Sequence, residues 1–291
     1  MRIARVLHED PEECTPHVRL AIERDGALYD VAELDRIFDT AYAPDRFAGA
    51  GDFHTRVIAL RGAGLDALDD RLRRGERPSE ARLLPDSVLW LPPRDPERAL
   101  FVQMASPRVA RAAPSFRFEN ARALAGHAGR VIFPAGEGRP DYELGVAAIL
   151  AEDLERATPR DAEAAILGFA ILNGWCGRDA EDADPSAARL VAAQLGPVLV
   201  TADDIEDLAR LRAQVRVDRR VVISADLGGW ASSAAESIAW ASRHTPLRAG
   251  DVIGLGCVAS GASARALPAW GSDVELLVER LGKLSGQPIR G

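Results

Sequence analysis

The stretch DYELG at residues 141–145, together with NGWCGRD at residues 173–179, decides how this chain of 291 residues is interpreted. The first stretch opens an apolar segment that runs to residue 150, and the second closes an apolar segment that begins near residue 164. Short continuous apolar runs are typical of strands that are buried on both faces. The polar residues of the two stretches therefore mark the start of one predicted core strand and the end of another.

Composition excludes several classes of function. The formal net charge of -8 argues against a nucleic-acid partner, because proteins that bind phosphate backbones carry basic surfaces. No apolar run approaches the roughly 18 residues that cross a bilayer, and residues 1–6 are too poor in apolar side chains for a signal peptide. The three cysteines form no C-x-x-C pair, and their odd number fits a reducing compartment. We therefore expect a cytoplasmic protein with no membrane and no nucleic-acid partner.

Short strands dominate the predicted elements. Residues 18–31 read as a hairpin around a turn at Asp25-Gly26, and residues 273–278 form the last clear strand. Helices are predicted at residues 31–38, 55–74, 160–166 and 233–242. Many short strands with few helices indicate a rolled or barrel-like β domain, and the prolines of residues 92–96 mark a domain boundary.

Five segments of the chain, in order, resemble the fumarylacetoacetate hydrolase family. The two stretches quoted first are similar to the D-Y-E-x-E-L and N-D-x-x-x-R-D strands of that family. The segment QLGPVLVTAD at 194–203 resembles its P-L-G-P-W-I-V-T-A-D block, and LRAGDVIGLGC at 247–257 resembles its L-x-P-G-D-V-I-x-T-G-T block. Residues 273–289 are similar to its final strand and closure. Each segment is a weak signal alone, and their common order and spacing carry the resemblance.

The resemblance implies an α+β, mainly β fold, with a small N-terminal α+β domain at residues 1–93 and a β-roll at residues 94–291. It also implies a homodimer and activity on a small 2-oxo acid or enolisable carbonyl compound, of a lyase, hydrolase, isomerase or cyclase type. In enzymes of the family, three acids grip a divalent metal that stabilises the enolate, and a histidine on a lid activates water.

The family's metal site is incomplete in this sequence. Glu143 stands at the first acid position, Gly145 at the second and Gly174 at the third, and the lid region at residues 103–111 contains no histidine. A hard cation needs several oxygen ligands, and glycine offers only its backbone oxygen. We therefore expect no metal, no other cofactor and metal-independent acid/base chemistry. The alternative is a metal site rebuilt from other acids, for which the candidates are Glu119, Glu181 and Asp179.

Two residues are the leading catalytic candidates. Glu143 is the candidate base, because no cation neutralises its carboxylate, and the alternative is a hydrogen-bonded relic. Arg178 can hold a substrate carboxylate through paired hydrogen bonds, and the alternative is a structural salt bridge with an acid such as Asp179 or Glu181. The candidate substrate-binding residues are Asn173, Cys176, Asp179 and Cys257.

Other reactive side chains are weaker candidates. The sequence places no histidine beside Cys176 or Cys257, so buried structural thiols are favoured over nucleophiles. His127 precedes a strand and His244 ends a helix, and a surface or capping role is favoured for both. The His, Glu and Cys residues of segment 8–17 fit no zinc spacing, which favours a solvated loop.

Two classes of function remain open from the sequence. One is a divergent enzyme, and the other is a non-catalytic pseudoenzyme kept as a ligand-binding or partner protein. A pocket lined by Glu143, Arg178 and an unshielded acid or histidine favours the enzyme. A pocket plugged by Trp175 or Phe116 favours the pseudoenzyme.

Overall fold

The computed structural model describes residues 1–9, 16–40, 64–95, 99–105, 115–184, 188, 192–229 and 232–291. The strands of these residues are β1 Arg2–Glu9, β2 Pro16–Arg24, β3 Ala27–Asp30, β4 Arg82–Leu83, β5 Leu89–Leu91, β6 Phe101–Ala105, β7 Ser115–Phe118, β8 Leu124–Ala125, β9 Gly129–Phe133, β10 Pro140–Asp141, β11 Glu143–Leu150, β12 Ile166–Gly174, β13 Cys176–Gly177, β14 Ala193–Thr201, β15 Arg212–Val217, β16 Arg220–Asp226, β17 Val252–Ser260, β18 Val274–Val278 and β19 Gly282–Arg290. Their α-helices are α1 Val31–Phe38, α2 Asp66–Arg73, α3 Pro159–Ala164, α4 Arg178–Ala183, α5 Ala234–Ser242 and α6 Gly261–Ala264. The predicted α+β, mainly β class is confirmed.

Two sheets build the core. The larger follows the order β4-β3-β2-β1-β14-β12-β11-β17-β6-β7, with β5 beside β1 and β8 beside β14. The smaller follows the order β16-β15-β18-β19-β9, and its strands β18 and β19 contact β12 and β14 of the larger sheet. Side chains from both sheets share one apolar cluster that includes Ile171, Val200, Leu276 and Leu284. The molecule is therefore held together by burial between the two sheets.

The N-terminal segment joins the larger sheet rather than standing apart from it. Strand β1 pairs antiparallel with β14, where Arg2 lies opposite Val200. The N-terminal amine of Met1 donates to Thr201 Oγ1 at 2.8 Å. The sheet is thus continuous across residue 93, and the division into domains at that residue stays a prediction.

The two motif strands lie side by side at the centre of the larger sheet. All eight residues of β11 are buried, because β12 and β17 flank it and both of its faces are covered. The antiparallel pairing places Leu144 opposite Asn173, and Glu143 opposite Ser260 of β17. The start of β11 therefore meets the end of β12, which brings the two quoted stretches together.

Most predicted elements are confirmed, and one needs correction. Helix α1 covers the predicted residues, since Asp30 caps it by accepting from Ala32 N at 2.8 Å. Helix α2 covers only the second half of the helix predicted at 55–74, of which residues 55–63 lie outside the described residues. A further strand, β19, follows the one predicted as the last. Its glycines and proline weaken the alternation of apolar and polar residues that predicts a strand, and pairing with β18 and β9 on its two sides stabilises it.

Within the described ranges, every helix is too short or too polar to cross a membrane.

Candidate active site

A narrow pocket opens where β11 begins and β12 ends. Its cavity volume is about 20 Å³, well below the roughly 300–1,000 Å³ of ordinary ligand pockets, so it admits only a very small ligand. Its polar lining comes from Arg117, Glu119, Glu143 and Cys257, and its apolar wall comes from Leu172, Trp175, Ala192 and Ala193. Five strands and their connections contribute, so the pocket exists only in the folded sheet.

Glu143 and Cys257 are the predicted site residues that line this pocket. Glu143 is 8% exposed, and its backbone N–H donates to Asn173 Oδ1 at 3.1 Å. Cys257 is half-buried, and its thiol donates to the carbonyl of Ala259 at 3.3 Å. None of the histidines in the described residues lines the pocket. Glu143 is therefore the predicted base that the structure places against open space.

Arg178 lies behind Glu143 and outside the pocket lining. Its Nε and Nη2 donate to Asp141 Oδ2 at 2.8 and 2.6 Å, and its Nη2 lies 3.3 Å from Glu143 Oε1. Its Nη1 pairs with Glu181. Burial opposes the charge of Arg178, but the carboxylates of Glu181 and Asp141 outweigh it and raise the pKa of the guanidinium. Arg178 thus stays cationic and orients one oxygen of Glu143.

Asp141 anchors this ion-pair network from the interior. Its side chain is fully buried and accepts from Tyr142 N at 2.8 Å and from Ala262 N at 3.0 Å. Burial raises the pKa of Asp141, whereas Arg178 and these backbone N–H groups oppose the rise. The network fixes the start of α4 against the start of β11.

The other three predicted residues also lie outside the pocket lining. Asn173 is buried and holds the start of β11 through the hydrogen bond to Glu143 N. Cys176 is buried in β13. Asp179 is partly exposed and pairs with Arg139, while its Oδ2 accepts from Gly138 N at 2.7 Å. Their substrate-binding roles, like that of Arg178, stay predictions.

Two pocket residues were not predicted to line the site. Arg117 was not a candidate at all, and Glu119 was a candidate only as a substitute metal ligand. They lie two positions apart at β7, so their side chains leave the strand on one face. Arg117 Nε donates to Glu119 Oε1 at 2.6 Å. The alternation of phenylalanine with charged residues over 116–119 was the available signal. The segment before it, residues 106–114, lies outside the described residues.

Trp175 forms a fixed wall of the pocket. Its indole Nε1 donates to Gln194 Oε1 at 2.7 Å, and Gln194 Nε2 donates to the carbonyls of Gly126 and Ser285 at 3.1 and 3.2 Å. Phe116 does not line the pocket, because its ring packs edge-on against Trp240 of α5 at 5.6 Å. Phe116 is therefore not a plug, whereas Trp175 leaves only about 20 Å³ of the pocket open.

The residues of this pocket do not fit a divalent metal. A Cβ at Gly174 would lie 3.5 Å from Glu143 Oε2, an ordinary contact, so that acid position is open. A Cβ at Gly145 would lie 2.8 Å from the Gly256 carbonyl oxygen, because β17 bulges opposite Gly145 and Gly256 has a φ of 111°. The described residues contain no group of three or more His, Cys, Asp or Glu side chains placed to hold an ion.

The substitute ligands considered from the sequence are each paired with an arginine. Glu119 pairs with Arg117, Glu181 with Arg178 and Asp179 with Arg139. A carboxylate held by a guanidinium has its negative charge already compensated, which weakens it as a ligand for a cation.

Comparison with known protein families identifies a family whose model covers both motif strands. The family model for the C-terminal domain of fumarylacetoacetate hydrolases matches residues 93–287. The chain belongs to this family. The resemblance read from the five sequence segments is thereby confirmed.

The relatives matched by sequence are distant. An uncharacterised protein of Archaeoglobus fulgidus is 28% identical over 172 residues, 58% of this chain and 66% of that protein. The mitochondrial oxaloacetate tautomerase FAHD2A of Homo sapiens is 26% identical over 178 residues, 58% of this chain and 57% of that protein. The oxaloacetate tautomerase YisK of Bacillus subtilis is 26% identical over 154 residues, about half of each chain. The matches thus span about half to two thirds of these relatives.

Solved structures share the fold over the whole chain. Maleylpyruvate hydrolase from Sphingobium sp. SYK-6, solved with manganese(II) and pyruvate, has a TM-score of 0.75 at 22% identity, with 100% of both chains covered. Fumarylacetoacetate hydrolase from Exiguobacterium antarcticum has a TM-score of 0.77 at 20% identity, again with 100% of both chains covered. At these identities the likeness establishes the fold.

Proposed function

We propose that this chain is an enzyme that transfers protons on a small 2-oxo acid or related enolisable carbonyl compound without a metal, with Glu143 as the base. The observation that carries the proposal is that the Glu143 carboxylate and the Arg117 guanidinium line the same pocket. The oxaloacetate tautomerases among its relatives support a 2-oxo acid, and the pocket's misfit to a divalent ion supports metal-independent chemistry.

The proposed step is an enolisation. A Glu143 oxygen removes a proton from the carbon next to the substrate's carbonyl group. The electron pair of that C–H bond forms the C=C bond of an enolate, the carbonyl π pair moves onto oxygen, and the proton stays on Glu143. Delivery of the proton to oxygen gives the enol and completes tautomerisation, whereas its return to carbon restores the ketone; the same enolate is the species that an isomerase or lyase of this family would need. Arg178 positions the base through its 3.3 Å contact with Oε1.

Exchange of carbon-bound hydrogen tests this proposal. In D₂O with EDTA, the wild type should exchange the C3 hydrogens of pyruvate or 2-oxobutyrate, followed by proton NMR. Glu143→Gln should lower the rate by about 10²- to 10⁴-fold, the usual contribution of a positioned base. Asp182→Asn, in an exposed ion pair with Arg139, is the matched control and should exchange normally.

Three results would contradict parts of the proposal. Exchange that EDTA abolishes and Mn²⁺ restores would contradict metal independence. Exchange that survives Glu143→Gln unchanged would contradict the assignment of the base, and no exchange with any 2-oxo acid would favour the pseudoenzyme. The homodimer and the cytoplasmic location remain part of the proposal.

A further inference from the structure

We propose that Arg117 is the anion-binding residue of this pocket and that it selects a short 2-oxo monocarboxylate. The inference rests on the proposed function for the reaction, but the binding claim stands separately. Arg117 is the arginine that lines the pocket among the described residues, and Arg178, predicted for this role, is held by Asp141, Glu143 and Glu181 instead.

One nitrogen of the Arg117 guanidinium is held by an ion pair, and its other N–H groups are available to bind a ligand. Its Nε donates to Glu119 Oε1 at 2.6 Å, and within the described residues its terminal nitrogens have no further partner. Glu119 is 11% exposed, so it holds the guanidinium from a nearly buried position, whereas Arg117 is 38% exposed. A guanidinium offers five N–H donors, and its terminal pair matches the two oxygens of a carboxylate.

Packing on the opposite face fixes the strand that carries Arg117. The ring centroids of Phe116 and Trp240 lie 5.6 Å apart. The backbone of Arg117 lies opposite Gln103 in the pairing of β7 with β6. Edge-to-face aromatic contacts add to the energy of burial, so β7 is held on α5 while its charged face meets the pocket. A binding group on a packed strand loses little conformational freedom when its ligand arrives.

The charges of the pocket limit the ligand to one carboxylate. Arg117 is opposed by Glu119 and Glu143, so among the described residues of the lining a second negative charge on the ligand would meet carboxylates and no second arginine. The remaining wall, formed by Leu172, Trp175, Ala192 and Ala193, offers apolar contact to a short carbon chain. A 2-oxo monocarboxylate with its carboxylate on Arg117 places its enolisable carbon toward Glu143.

The competing interpretation is an ordinary surface ion pair between Arg117 and Glu119. Exposed pairs contribute about 0–1 kcal/mol to stability, and a pair of that kind has no effect on ligands. Binding, measured without turnover, separates the two interpretations. Oxamate is the probe, because it resembles pyruvate but has no enolisable carbon.

The experiment is isothermal titration of oxamate into the full chain in EDTA. The wild type should bind one oxamate per chain, and Arg117→Met should weaken binding by about tenfold or more, the loss of a charge-assisted pair. Arg139→Met, which removes an ion-paired arginine outside the pocket, should bind as the wild type does. Arg117→Lys keeps the charge but not the fork, and it should also bind weakly. Malonate should bind more weakly than oxamate.

The outcomes separate this inference from the proposed function. Oxamate binding that depends on Arg117, with no hydrogen exchange, upholds the inference and refutes the function. Exchange and oxamate binding that are both indifferent to Arg117→Met and Arg117→Lys refute the inference and leave the function standing. Absence of oxamate binding to the wild type, or binding that requires added Mn²⁺, also overturns it. Melting temperatures of both variants show whether they are folded.

Discussion

Replacing His127 by asparagine should make this fold less sensitive to acid. The imidazole lies in the turn before β9, where its Nδ1 accepts a hydrogen bond from Ser285 N at 3.1 Å and its ring meets Trp90 edge-on at 5.4 Å. Burial, and then the charge of Lys283, lower the pKa of His127 from 6.5 to about 4, with Glu275 opposing them. A proton on Nδ1 would also remove the acceptor that Ser285 uses.

The sign and size of the effect follow from these two pKa values. Between about pH 6.5 and about pH 4, the unfolded chain binds a proton at this residue and the folded chain does not. The stability that comes from keeping His127 neutral in the folded state is therefore fully present above about pH 6.5, and it is lost as the pH falls toward about 4. A gap of about 2.5 pKa units corresponds to about 3 kcal/mol, which is an upper bound for a half-buried ring.

Asparagine retains an acceptor near the position of Nδ1 and does not titrate. Urea unfolding of the wild type and of His127→Asn, at about pH 7.5 and about pH 4.5, measures the difference. At the higher pH the variant should be less stable by about 1 kcal/mol, because it loses ring contacts. At the lower pH it should regain about 2 kcal/mol relative to the wild type. An equal difference at both pH values would refute this reasoning, because other titrating groups are shared by both proteins.

Five further predictions concern the pocket and the assembly. Gly174→Asp should fold normally and bind Mn²⁺ more tightly than the wild type in calorimetry, because its carboxylate reaches Glu143 through open space. Gly145→Ala should lower the free energy of unfolding by about 1–3 kcal/mol, since its Cβ meets a carbonyl oxygen. Gln194→Leu should cost about 1–3 kcal/mol in urea unfolding and weaken oxamate binding, because it leaves the Trp175 indole N–H and two carbonyls unpaired. Elemental analysis should find well under one Mg, Mn or Ca per chain, and EDTA should leave the melting temperature unchanged; a stoichiometric metal would show that other acids rebuild the site. Light scattering after size exclusion should find a dimer, and a clean monomer at low concentration would count against the sheet edges being covered by a second copy.

Most of the strands and helices could be predicted from local sequence patterns. The apolar runs that became β11 and β12 are long enough to require burial on both faces, and this placed Glu143 at a strand end beside Asn173. Strand β19 was harder, because its glycines and proline suppress the alternation that its neighbours impose.

The site was less predictable because its contacts join distant segments. Arg178 was matched to the arginine of the family's second motif strand, but the sequence does not show that Asp141, 37 residues earlier, accepts two of its hydrogen bonds. Arg117 reaches the pocket through the pairing of β7 with β6 and of β6 with β17, and no spacing along the chain expresses that sequence of pairings. Side-chain partners of this kind are settled by the sheet order.

The Gly256 carbonyl beneath Gly145 makes the two glycines at the family's acid positions unequal. A carboxylate can return at position 174 by one mutation, but at position 145 the bulge of β17 must first withdraw. The backbone of β17 therefore opposes a metal-binding carboxylate at position 145, whereas position 174 can accept one.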